Sequence, residues 1–189
     1  VNGNEIKDRG RRSQLDAEIK EVDIQPCVQV GRNLIAVKLV ATRRTDGILD
    51  LLKIIGNFAL EKSDAGFKIV EKKNAIKIGD WIKQGYPFYS GTGVYRTEIE
   101  APSKYLGGKL FLEIDCGDDV LEVSVNGSPS RVVPWHPYRV DVTDLIKAGK
   151  NTVELKVTNT LINILEGVQK PSGIFSTPRL VHEHRYELS

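Results

Sequence analysis

The sequence predicts an all-β fold, a jelly-roll β-sandwich preceded by a partial second copy of the same sandwich. Three observations predict it. Short apolar and polar alternations recur about every ten residues with turn residues between them. Stretches with helical periodicity are scarce. One strand–turn–strand pattern occurs twice along the chain.

The elements come in chain order. Val1-Asn2-Gly3 is a turn, since Asn and Gly both tolerate positive φ. The stretch from Ile6 to Val22 reads as a solvated loop carrying Lys7, Arg9, Arg11 and Arg12, with contact to an anion or acidic glycan as the alternative. Ile35, Val37 and Leu39 then alternate as a strand does, and Phe58-Ala59-Leu60 is a further apolar run. Residues 63–66 read as a linker, and a second unit begins at Phe67, Ile69 and Val70. The run from Gly79 to Gly91 is rich in aromatics and glycines, which suits an ordered loop. Tyr95, Thr97 and Ile99 mark a strand, and Leu110, Leu112 and Ile114 the next, ending in the turn Asp115-Cys116-Gly117-Asp118-Asp119.

Val123 and Val125 alternate with Ser124 and Asn126, and Asn126-Gly127 closes that strand with a strong turn signal. An extended run through Trp135, Pro137 and Tyr138 leads to Asp141-Val142-Thr143. Residues 143–148 suit one helical turn stopped by Gly149. Asn151 opens a strand with Val153, Leu155 and Val157 on one face and Thr152, Glu154 and Lys156 on the other. Other helix is expected only at 13–19, with a turn near 49–55.

The repeat ties the two ends of the chain together. Val1-Asn2-Gly3 matches Val125-Asn126-Gly127, and residues 23–42 align without a gap on residues 141–160. That alignment pairs Asp23 with Asp141, Gly31 with Gly149 and Asn33 with Asn151, and sets Ile35, Val37 and Leu39 on Val153, Leu155 and Val157. A Gly-Ile pair comes next in each copy, then a last apolar run. The expected organisation is therefore residues 1–62 as the C-terminal half of a first sandwich unit, a linker at 63–66 and a complete sandwich at 67–189. The first unit is expected to pack on the second or to complete a neighbouring molecule, because half a sandwich leaves an open edge and a bare apolar face.

Composition narrows the function. With 189 residues, 40% hydrophobic and 28% charged, the chain has the make-up of a globular protein. A formal charge of +2 gives no ground for nucleic acid or an anionic membrane as partner. No apolar run reaches the ~18 residues of a spanning helix. No signal-peptide pattern opens the sequence, and the absence of methionine suggests a piece of a longer protein. Cys27 and Cys116 make neither a disulfide framework nor a zinc site, and are expected to be free, buried thiols.

Several motifs in fixed order carry a resemblance. They are W-x3-G-Y-P-x-Y-S-G-x3-Y from Trp81 to Tyr95, then V-x-V-N-G, then W-x-P-Y-x-x-D-V-T, then G-x-N-x5-V-x-N-T. This set resembles the galactose-binding-like jelly roll attached to glycoside hydrolases of family 2 and to α-L-rhamnosidase-type enzymes of family 106. The resemblance covers residues 66–189, and residues 1–62 as a partial copy. It implies a non-catalytic accessory sandwich of a multi-domain glycosidase, with the catalytic carboxylates on a separate domain. Its partners would be that catalytic domain or a second copy of the chain, and glycan. The parents of such modules are often exported, which implies an extracellular or periplasmic setting. A free-standing carbohydrate-binding protein and an assembly module for protein–protein contacts are the alternatives.

Individual residues suit this role unequally. Trp81, Tyr86, Phe88, Tyr89 and Tyr95 offer flat faces for stacking on sugar C–H groups, or plug the end of the sandwich. Trp135, with His136 and Tyr138, is a platform or a core and domain contact. Asn126 and Asn159 suit sugar hydroxyls or turn and strand-end bonds, and Asp141 with Thr143 suits a local cap, repeated at Asp23. Asp115, Asp118 and Asp119 are weak candidates for structural calcium; a polar turn is the simpler reading. Glu98 and Glu100 share a strand face beside Arg96 and read as solvated rather than as the facing acids that glycoside hydrolysis needs. His182 and His184 lie two apart on a strand, but further metal ligands and an H-E-x-x-H pattern are lacking. No catalytic residue and no cofactor is expected.

Overall fold

The computed structural model describes residues 1–48 and 50–183, and the chain divides into two units between Asp50 and Leu51. The first unit holds one small antiparallel hairpin, β1 (Arg11–Arg12) with β2 (Lys20–Glu21). It also has a single 3-10 turn at Gln25–Cys27, started by Pro26 near the front of the turn. The rest is turns and extended chain, and residues 31–42 form no strand.

The second unit carries the sheets. Its strands are β3 (Phe58–Ser63), β4 (Gly66–Glu71), β5 (Thr92–Ala101), β6 (Lys109–Glu113), β7 (Val120–Val125), β8 (Arg131–Val133), β9 (Arg139–Asp141), β10 (Gly149–Thr158) and β11 (Arg179–Glu183). A four-stranded sheet runs β5-β10-β7-β8 and a three-stranded sheet runs β11-β6-β9. All these pairings are antiparallel. The one short α-helix among the described residues, α1 (Ile162–Leu165), comes after β10.

Alternation explains the layering. A strand's side chains point to opposite faces in turn, so Val153, Leu155 and Val157 of β10 share a face with Leu121, Val123 and Val125 of β7 beside them. All six are buried, together with Leu110 and Leu112 of β6 and Val140 of β9 from the other sheet. Two sheets closing on one apolar layer make a β-sandwich. The opposite face of β10 carries Glu154 and Lys156, with Glu154 paired to Arg96 of β5 at 2.6 Å.

The turn at Asn126-Gly127 fixes the register of that core. Asn126 has φ 52° and Gly127 φ 75°, the left-handed region in which Asn and Gly are tolerated. Asn151, 1% exposed, receives an Asn126 Nδ2 bond at 2.8 Å. Its own Nδ2 donates to the carbonyls of Lys147 at 2.8 Å and Gly149 at 2.9 Å, and its Oδ1 accepts the Lys147 N–H at 2.9 Å. The chain reversal before β10 is thereby locked to the one after β7.

Several expectations are corrected. Residues 63–66 are the tip of the β3–β4 hairpin, with Ser63 paired to Gly66, so no linker lies there. Residues 143–145 form a turn and not a helix, because Asp141 Oδ1 accepts the Thr143 N–H at 3.0 Å and holds the chain in a side-chain-closed turn. Residues 13–19 are bends and turns. Residues 50–55 hold no helix, and the expected turn at 49–55 begins on Leu49, outside the described residues. Phe58-Ala59-Leu60 pairs with β4, whereas Leu180-Val181 pairs with β6, so the last part of the repeat is not matched in structure. The first unit shares the turn of the second, but among its described residues the paired strands are β1 and β2, which make a hairpin and not a sandwich.

Asn151→Ala is expected to lower the stability of the second unit by about 2 kcal/mol, the cost of buried polar groups left without partners. Asn151→Asp, which keeps the acceptor and loses both donors, is expected to fall at least as far. Urea unfolding followed by circular dichroism reads both.

Candidate functional site

The aromatic loop before β5 is built around Trp81. Its ring is 2% exposed, and its Nε1–H donates to the Tyr95 hydroxyl at 2.6 Å. Its backbone N–H reaches the Ser172 carbonyl at 3.0 Å. Two glycines make room for it: a Cβ on Gly93 would lie 2.5 Å from Trp81 Cζ2, and one on Gly173 2.7 Å from Nε1. Tyr89 packs edge-on against it at 5.6 Å. A ring so enclosed offers no face to a sugar, and Trp81 serves the core.

The neighbouring aromatics are spent on the same assembly. The Tyr86 hydroxyl accepts the Lys73 N–H at 3.3 Å, and Phe88 meets Phe67 edge-on at 5.1 Å. Tyr89, 41% exposed, donates its hydroxyl to the Thr92 carbonyl at 3.2 Å. The Tyr95 hydroxyl is held by Trp81, and burial pushes its pKa up. Asn159 binds this loop to β10. Its Nδ2 donates to the Tyr89 carbonyl at 2.8 Å and its Oδ1 accepts the Gly91 N–H at 2.8 Å. Asn126 is equally engaged, since besides Asn151 it donates to the Leu145 carbonyl at 2.9 Å and accepts the Thr152 N–H at 3.0 Å.

The aspartates of the 115–119 turn separate. Asp118 meets Lys170 at 3.3 Å. Asp115 is exposed, and its carbonyl accepts the Phe175 N–H at 2.7 Å. Asp119 is 1% exposed and accepts the Gly173 N–H at 3.2 Å through Oδ2, while its Oδ1 has no hydrogen-bond partner among the described residues. Burial raises its pKa to about 6 against the pull of that bond. Burial and the nearby Asp119 charge likewise push Cys116 up to about 12, so this free thiol is not a nucleophile. Cys27 is free and half-buried. Among the described residues, no group of three or more His, Cys, Asp or Glu side chains is placed to hold a metal. His182 stacks on Tyr105 at 4.8 Å; His184 lies outside the described residues.

One surface remains. Between β8 and β9 the chain runs Pro134-Trp135-His136-Pro137, with a cis bond before Pro137. Trp135 is 71% exposed, so it is no core residue of this chain. His136, Tyr138, Asp115, Arg139 and Arg179 line an open cleft of about 400 Å³ beside it. Tyr138 anchors the floor: it is buried and its hydroxyl bonds the Asp119 carbonyl. The arginines are positioned by strand pairing, since Glu113 of β6 stands opposite Arg139 of β9 and Arg179 of β11. Arg179 reaches Glu113 at 3.0 Å, and Arg139 lies over the Phe111 ring at 3.9 Å. Opposite charges facing across strands support a sheet, but the pairing is invisible until the strand order is known, so sequence reasoning missed Glu113, Arg139 and Arg179. The cleft can donate hydrogen bonds to hydroxyl-rich or acidic surfaces; Trp135 is outside its lining, one residue before His136 on the same loop.

Glu98 on β5 and Asp141 on β9 are also paired with cations. Glu98 meets Lys150 at 3.5 Å and Asp141 meets Lys109 at 3.0 Å. Hydrogen bonds from Thr143, then Lys109, hold Asp141 down at about 2. In the first unit Arg11 meets Glu21 at 3.2 Å across the small hairpin, and Ser13 bonds the same carboxylate.

Comparison with known proteins leads to glycosidases. No family model matches the chain. It is 37% identical over 89 residues, 46% of its length, to a putative beta-glucuronidase of Formosa agariphila, and covers 8% of that protein. Among solved structures it is similar to a rhamnosidase from Novosphingobium sp. PP1Y, at 25% identity and TM-score 0.46, over 82% of this chain and 16% of that one. It is also similar to a glycosyl hydrolase family 2 member from Bacteroides cellulosilyticus, at 18% identity and TM-score 0.42, over 69% of this chain and 19% of that one. The chain thus corresponds to a small part of each much longer glycosidase it matches.

Gly93→Ala is expected to destabilise the second unit by about 1–3 kcal/mol, because the added methyl overlaps a ring with nowhere to move. Calorimetric Tm measures it. Asp119 has a folded pKa of about 6, above its ordinary value of 3.8. The fold therefore favours its neutral form, and the cost of ionising it grows from about pH 4 to pH 6. The Tm of Asp119→Asn minus that of the unmodified chain is expected to become more positive across that window and to level off above it.

Proposed function

We propose that this chain is a non-catalytic accessory β-sandwich module of a glycoside hydrolase that braces the catalytic domain, with the Trp135–His136 loop as its point of contact. The exposed indole of Trp135 carries the reading. A tryptophan left in water on a loop costs apolar surface, and large exposed aromatics mark contact sites. The second unit gives it no packing role, and the adjoining cleft supplies a polar rim of arginines and His136. The 37% identity to a stretch of a putative beta-glucuronidase supports the parent class. The pairing of Glu98 with Lys150 and of Asp141 with Lys109 supports a role without bond cleavage, because a general acid needs a raised pKa and an open approach, and Asp119, whose pKa is raised, is buried.

Contact with glycan through the same loop is the second reading, favoured by the exposed indole of Trp135 on the loop that also gives His136 to the cleft. Calorimetric titration of the chain with neutral and acidic oligosaccharides separates the two. For a brace, no heat is expected with any sugar. In the full-length glycosidase that carries this module, Trp135→Ala is expected to lower the Tm of the whole enzyme. Heat that disappears in Trp135→Ala would replace bracing by binding. Trp135→Ala alone is expected to leave the stability of this chain within about 0.5 kcal/mol.

A further inference from the structure

The two V-N-G turns are alike atom by atom. Asn2 has φ 51° and Gly3 φ 83°, against 52° and 75° at Asn126 and Gly127. Asn2 Nδ2 donates to Asn33 Oδ1 at 2.8 Å, as Asn126 does to Asn151 at 2.8 Å. The Leu34 N–H reaches Asn2 Oδ1 at 2.8 Å, as the Thr152 N–H reaches Asn126 Oδ1 at 3.0 Å. Asn33 Nδ2 donates to the Gln29 and Gly31 carbonyls, as Asn151 does to those of Lys147 and Gly149. The Asn2 N–H also bonds the Leu34 carbonyl at 2.9 Å, as the Asn126 N–H bonds that of Thr152 at 2.8 Å.

Beyond the turns the two copies diverge. After Asn151, β10 sets Val153, Leu155 and Val157 opposite Val125, Val123 and Leu121 of β7, and all three are at most 1% exposed. After Asn33, the equivalent Ile35, Val37 and Leu39 are 43%, 54% and 52% exposed, with no strand beside them among the described residues. They belong to the nearly continuous apolar run Leu34-Ile35-Ala36-Val37-Lys38-Leu39-Val40, in which Leu34 and Val40 are exposed as well, so the segment leaves apolar surface uncovered on both sides.

We propose that residues 34–40 form a strand-accepting edge, and that its occupant is an antiparallel β-strand, apolar at alternate positions, on polypeptide joined to Val1. The second unit identifies the occupant. Val1 is the equivalent of Val125, the last residue of β7, and the Asn2–Leu34 bond is already the rung next to that pairing. Extending the ladder puts the residue two before Val1 against Val37 and the residue four before it against Leu39, since strand faces repeat every second residue. Main-chain bonds would supply the attachment and the alternate apolar residues the fit, as in other strand additions. The strand edge is independent of the glycosidase reading.

The test places the β7 sequence Val-Leu-Glu-Val-Ser directly ahead of Val1 in the full chain and tracks amide hydrogen exchange by mass spectrometry. Exchange at 35–40 is expected to slow about tenfold or more relative to the chain without the extension. One extra Ser between the extension and Val1 turns its faces over and is expected to abolish the protection. Val37→Asp in the extended chain is expected to abolish it too, with exchange at 153–157 unchanged. Equal exchange with and without the extension would overturn the proposal, as would protection that survives Val37→Asp or the extra Ser. Slow exchange at 35–40 in the unextended monomer would overturn it too, since no occupant would then be needed. Protection of the unextended chain that appears only as concentration rises would replace the proposed occupant by a second copy.

Discussion

The sandwich depends on the carboxamide of Asn151. One buried side chain uses both its donors and its acceptor on the turn before β10 while receiving Asn126 from the turn after β7. Without it, the turn before β10 would lose the three bonds that close it, and the turn after β7 its link to that turn. A slip of one residue there would turn Val153, Leu155 and Val157 outward. A polar group thus sets the register in which the apolar core is possible, and the hydrophobic burial depends on that register. Buried and fully satisfied, such a network favours one arrangement over its neighbours.

The parts of this fold that were legible in the sequence are those with a local cause. Alternation at Val123–Val125 and Val153–Val157 marked β7 and β10, and the positive-φ preference of Asn126-Gly127 marked the turn between strands. The errors arose where one composition serves two structures. Ser63-Asp64-Ala65-Gly66 suits a linker as well as a hairpin tip, and only the pairing of Phe58–Ser63 with Gly66–Glu71 decides between them. Leu145 to Ala148 has helix-forming residues, but the Asp141 carboxylate captures the Thr143 N–H and directs the chain into a turn.

The candidate site was less legible for a related reason. A loop dense in aromatics has the same composition whether the rings face a ligand or each other. Trp81 lies inside because Gly93 and Gly173, distant in sequence, leave a slot for its ring. Trp135 lies outside, where a core or domain contact was one expectation. The charged rim beside it, made by Glu113, Arg139 and Arg179, exists only because β9, β6 and β11 are neighbours. Cross-strand chemistry of this kind is written in the topology.

The contrast between the two indoles has a spectroscopic corollary. The chain has only two tryptophans; one is sealed between glycines and a phenol, and the other stands in solvent. Their emission should separate into a short-wavelength component that dissolved quenchers do not reach and a long-wavelength component that they extinguish. The first reports on the integrity of the sandwich and the second on whatever comes to rest on the loop, so a single unlabelled sample can tell docking from unfolding.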